Sequence, residues 1–133
     1  MSYTVQVLDE TTARPVPTPA LTLDFETETV TVRELIRRRV YEECTEYNAG
    51  QRIAFRGLVT PEGAEVTLNG KRERVFTLNW EKQYAKAVEA FERNGLIVLV
   101  GDQQAEDLEQ TVTLRLGQAL DVTFLKLVPL VGG

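Results

Sequence analysis

The stretch from Val30 to Gly50 constrains this chain more than any other. Val32, Leu35, Ile36, Val40, Cys44 and Tyr47 recur at helical spacing and share one face. Thr31 and Glu34 stand at the spacing of a capping box, with Val30 and Leu35 placed as a hydrophobic staple. Asn48-Ala49-Gly50 supplies the stop. A helix with one wide apolar face needs a second layer to cover it, and the flanking sequence offers strands.

Tyr3, Val5 and Val7 alternate with Thr4 and Gln6, and Leu21, Leu23 and Phe25 alternate with Thr22, Asp24 and Glu26. Patterning of period two belongs to half-buried strands. Between them Asp9 to Ala20 reads as a loop, because Pro15, Pro17 and Pro19 cannot donate to a sheet ladder. The expectation is a hairpin with a long connection. Leu96-Ile97-Val98-Leu99-Val100 is an unbroken apolar run, expected as a strand buried on both faces and turned by Gly101-Asp102. Thr111 to Leu116 alternates again, Gly117-Gln118 is another turn, and Asp121 to Val128 is the last strand. Gln51 to Leu78 is less legible. Ile53 to Val59 has strand character, and two short apolar segments flank an Asn69-Gly70 turn signal, which fits a local hairpin or an extended excursion.

A second helix is predicted from Asn79, an N-cap residue, through Trp80, Tyr84, Ala87, Val88 and Phe91 to a stop at Asn94-Gly95. Trp80 and Tyr84 read as core. So does Cys44, which lies in line with Ile36 and Val40. Arg37-Arg38-Arg39, surrounded by Glu34, Glu42, Glu43 and Glu46, reads as a solvated helix face or as a docking patch for an acidic partner. No internal repeat and no domain boundary is visible. The expectation is a single domain over residues 1–133 with a flexible tail at 129–133.

Composition removes several function classes. A net charge of −5 gives nucleic-acid binding little electrostatic support. With no histidine and one cysteine, a histidine general base and a structural zinc site are both closed. Neither common phosphate-binding glycine pattern occurs, so the chain is not expected to be an enzyme or to hold a cofactor. No apolar run approaches the ~20 residues that span a bilayer, and Met1 to Val5 does not start a secretory signal. These points, with the lone cysteine, fit a reducing cytoplasm, and the expected location is cytoplasmic with no membrane partner.

The order is therefore strand, strand, helix, a variable middle, helix, strand, short strand, strand and tail. Within it stand Gly95 to Asp102, Asp107-Leu108, Val112 and Leu114, Gly117 to Phe124, and finally Val128-Pro129-Leu130-Val131-Gly132-Gly133. This arrangement resembles the ubiquitin-like β-grasp superfamily, in particular the molybdopterin synthase small subunit, the thiamine sulfur carrier and bacterial ubiquitin-like modifiers. The clear resemblance covers Asn79 to Gly133, while the first hairpin and helix match by order alone. Pro15 to Pro19 and Gln51 to Leu78 enlarge the chain beyond a minimal carrier. The implied fold is α+β: a mixed sheet packed by a main helix, with a second helix and an enlarged middle insertion.

The resemblance implies that Gly133 and Gly132 form the reactive end. A partner activating enzyme would spend ATP to adenylate the Gly133 carboxylate, making a mixed anhydride that can pass its acyl group to a nucleophile. Glycines leave the least bulk around the reacting carbonyl. Pro129 cannot continue the last ladder, which should release the tail. Leu127, Val128, Leu130 and Val131 are apolar beside it, a candidate docking stretch for the activating enzyme, with packing on the domain's own core as the alternative. The leading expectation is a protein modifier, joined to targets through a conjugating enzyme and removed by a JAB-type metalloprotease. A sulfur carrier would form a thiocarboxylate at the same position for molybdopterin, thiamine or tRNA thiolation. A β-grasp interaction module that is never activated would leave the glycines inert. If the chain joins to itself, Lys71, Lys82, Lys86 and Lys126 are the side-chain amine acceptors.

Overall fold

The computed structural model describes residues 2–49 and 79–127. The expectations for Gln51 to Leu78 and for Val128 to Gly133 lie outside the described residues. Within them the chain is α+β. Helices α1 (Val32–Asn48) and α2 (Trp80–Glu92) accompany strands β1 (Tyr3–Thr11), β2 (Thr18–Phe25), β3 (Thr29–Thr31), β4 (Leu96–Val100), β5 (Gln103–Gln104), β6 (Thr111–Thr113) and β7 (Leu120–Lys126).

Five strands form one mixed sheet in the order β2-β1-β7-β4-β5, and β3 pairs with β6 in a small second ladder. β1 and β2 are antiparallel, as the alternating patterns require. β1 then pairs in parallel with β7, from Val5↔Leu120 to Thr11↔Lys126. β4 lies antiparallel to β7 on its other side. The last strand therefore sits at the centre of the sheet, between the first strand and the β4–β5 hairpin.

The core lies between this sheet and α1. Val5 and Val7, Leu23 and Phe25, Leu96 and Val98, and Val122 and Phe124 meet Val32, Leu35, Ile36, Val40 and Cys44 of the helix. Complete burial of each such side chain is worth about 1.5–3 kcal/mol before the cost of ordering it. The Thr31 side chain accepts from the Glu34 N–H at 3.1 Å, so that half of the capping box forms. The Glu34 carboxylate instead takes two bonds from Arg37, each of 2.8 Å. Two further donors at the helix start are satisfied from outside: Val32 N–H donates to Gln110 O and Arg33 N–H to Leu108 O.

At α2 the cap is as predicted: Asn79 Oδ1 accepts from the N–H groups of Glu81 and Lys82. At the other end Gly95 N–H donates to Ala90 O at 2.7 Å and Asn94 N–H to Phe91 O at 3.1 Å. With Asn94 at φ 62°, this is a Schellman stop.

Three expectations need correction. The first connection is short, because β1 runs on to Thr11 and β2 begins at Thr18. Asp9, Glu10 and Thr11 are held extended by pairing with β7, a long-range partner no local pattern reports. Pro19 enters β2 despite its missing N–H: β2 is an edge strand, and the β1–β2 register is irregular between Val7 and Leu8. The apolar run of β4 is not buried on both faces. Leu96 and Val98 face the core, whereas Ile97 and Leu99 are half-buried on the opposite face. Finally, the strand expected to reach Leu116 ends at Thr113, and Leu116 is exposed.

Candidate functional site

The expected reactive end, Gly132 and Gly133, follows β7 in the sequence, and the described residues nearest to it are those where that strand ends. Lys126 pairs with Thr11 of β1 and Leu96 of β4. One step on, both neighbours still hold the backbone: Thr12 N–H donates to Lys126 O at 3.3 Å, and Leu127 N–H donates to Gly95 O at 3.0 Å. Leu127 is half-buried, between the two outcomes its sequence allowed. The five other residues of the predicted docking stretch and reactive end that precede the last glycine (Val128, Pro129, Leu130, Val131 and Gly132), and Gly133 itself, lie outside the described residues.

Beneath this exit lies a charged cluster that sequence reading missed. Arg39 is completely buried, not a member of a solvated or docking face. Its guanidinium forms ion pairs with Asp9 of β1 and, at 3.1 Å, with Glu43 one helical turn on. A second bond to Asp9, from Nη2 to Oδ2, is 2.9 Å long. The group also lies 4.9 Å from the centre of the Phe124 ring. Burial opposes the arginine's charge, but the bond to Asp9 and the charge of Glu43 outweigh it and leave its pKa raised. Glu43 Oε2 is buried with no hydrogen-bond partner among the described residues. The signal was present in the helical spacing. Arg39 follows Leu35 and Ile36 by four and three positions, and Glu43 follows Arg39 by four, so both lie in the apolar stripe.

Arg37 and Arg38, the other two of the run, are half-exposed and each paired with a glutamate of the same helix, Glu34 and Glu42. Arg37 also lies 5.8 Å from the Trp80 ring, and Tyr41 meets Trp80 edge-on at 5.4 Å. Trp80 and Tyr84 pack against the core while remaining partly accessible. Cys44 is buried as expected, and burial first, then the Glu43 charge, push its thiol pKa up to about 11.

On the face of the sheet away from α1, register gathers four half-buried apolar side chains. Leu125 pairs with Ile97, and Thr123 pairs with both Leu99 and Leu8. Leu8, Ile97, Leu99 and Leu125 thus adjoin one another within a few residues of Leu127. Of the candidate acceptors, Lys82 and Lys86 are exposed on α2 and Lys126 is exposed at the end of β7, while Lys71 is outside the described residues. Among the described residues no group of three or more cysteines and carboxylates could hold a metal ion, and no helix is long and apolar enough to cross a membrane. No family model, curated protein or solved structure matches the chain.

Proposed function

We propose that this protein is a ubiquitin-like modifier of the β-grasp type, activated at the carboxylate of Gly133 by a partner enzyme that adenylates it. The observation that carries the reading is topological. An initial antiparallel hairpin, a helix across the sheet, and a final strand inserted in parallel beside the first give the order β2-β1-β7-β4-β5, an order compatible with a β-grasp. In such a layout the last strand delivers the chain to one end of the sheet, from which Pro129 to Gly133 can be threaded into another protein's active site.

Chemically, the chain supplies no catalytic side chain in this scheme. ATP and the activating enzyme make the acyl adenylate. A conjugating enzyme or target amine then displaces AMP, and a JAB-type metalloprotease would reverse the linkage. The half-buried apolar row Leu8, Leu125, Ile97 and Leu99 beside the exit is a surface such an enzyme could grip while the tail is engaged.

The test is incubation with a candidate activating enzyme and ATP, followed by intact-mass analysis and target blotting. The expected result is ATP-dependent heavier species joined through Gly133, abolished by Gly133→Leu. Conversion of the terminal carboxylate to a thiocarboxylate would assign a sulfur carrier instead. Full cellular function of the Gly133→Leu protein would leave only a non-activated interaction module.

A further inference from the structure

Burying an arginine with two carboxylates is a poor way to gain stability, because apolar side chains of similar size do as well or better. The Arg39 cluster therefore calls for another reason, and its connections supply one. The forked guanidinium reaches both carboxylate oxygens of Asp9 and also Glu43, while lying against Phe124. Asp9 and Phe124 are direct partners in the parallel β1–β7 ladder. Three residues beyond each stand Thr12 and Leu127, the two donors that hold the chain where it leaves the sheet.

We infer that Arg39 is a positioning residue for the root of the C-terminal tail. Apolar contacts between α1 and β7 would tolerate sliding. A fork bonded to one particular aspartate and stacked on one particular ring does not. A one-residue slip of β7 would turn Phe124 to the outer face and bring Thr123 or Leu125 to the guanidinium. By fixing that register, Arg39 fixes where Leu127 and Thr12 are held at the end of the β1–β7 ladder. The inference rests on the reading of Gly133 as the activated end for its purpose, but not for its geometry.

The experiment compares the wild-type chain with a triple variant, Asp9→Val with Arg39→Met and Glu43→Leu, which replaces the charges by apolar groups, and with Arg39→Lys, which keeps the charge and loses the fork. Urea unfolding gives global stability, and amide hydrogen exchange is read at Thr12 and Leu127 against core amides such as Val98. The triple variant is expected to unfold at an equal or higher urea concentration, yet to exchange the Thr12 and Leu127 amides about tenfold faster or more. Arg39→Lys is expected to move those two amides in the same direction, and decides the matter should the triple variant fail to fold. Wild-type protection of both amides in whichever variant folds overturns the inference. Faster exchange there, in a protein that no enzyme activates at Gly133, would retain the positioning role and reject the proposed function.

Discussion

The two helices make opposite use of their sequences. α1 buries seven residues, among them Arg39 and Glu43, and its apolar stripe is interrupted by charge. α2 has the more cleanly segregated apolar face but buries only Gln83 and Ala87, with Trp80, Tyr84, Val88 and Phe91 partly accessible. A tidy amphipathic pattern therefore does not identify the helix that covers the sheet. The buried polar residues of α1 are charged, and Arg39 meets carboxylates on two elements. α2, by contrast, packs on α1 and β4 and is built from local devices, an asparagine cap and a Schellman stop.

Single substitutions can break or sharpen this contrast. The largest effect belongs to Arg39→Met, which strands Asp9 and Glu43 and is expected to cost about 3–5 kcal/mol in urea unfolding. Next is Leu35→Ala, at about 2–5 kcal/mol, against about 1 kcal/mol for Val88→Ala on α2. Equal losses at the two positions would show that α2 contributes as much to the shared core as α1 does. Smaller still are the caps. Thr31→Ala and Asn79→Ala are each expected to cost about 1 kcal/mol. Hydrogen exchange should report the first across the sheet and the second as opening of α2 alone.

The smallest effect at neutral pH concerns Cys44. Its folded pKa is pushed up to about 11, above the ~8.5 of a free thiol. Between those values the unfolded chain has released a proton that the folded chain retains, so stability falls as pH rises through that window. Below it the contribution is fully present. Cys44→Ala should remove that part of the slope in urea titrations, and a thiol reagent at pH 8 should label the wild-type chain only after unfolding.

Local chemistry was legible in the sequence. The Thr31 and Asn79 caps, the Asn94-Gly95 stop, the turn glycines Gly101 and Gly117 at φ 60° and 73°, and the burial of Cys44 all follow from residue type and spacing. What was hidden depends on partners distant in the chain. The extension of β1 through Asp9 to Thr11 needs β7 beside it, and the pairing of Thr29–Thr31 with Thr111–Thr113 is too short to leave a pattern. The half-accessible outer face of β4 was illegible because an unbroken apolar run carries no mark of its exposed side. Of the candidate site, Leu127 and the strand leading to it are placed. The cluster beneath them escaped notice because three consecutive arginines look like one surface feature, whereas a helix turns each to a different side.

The central position of β7 governs how such a chain is made. During synthesis the β1–β2 hairpin and the β4–β5 hairpin both emerge before residues 120–126, each with an open edge where β7 must later fit. Until then a nascent chain displays two unfilled templates that any extended segment could occupy. Closure awaits a contact spanning more than a hundred residues, so a chain cut short before residue 120 should yield an aggregating product and no smaller working domain.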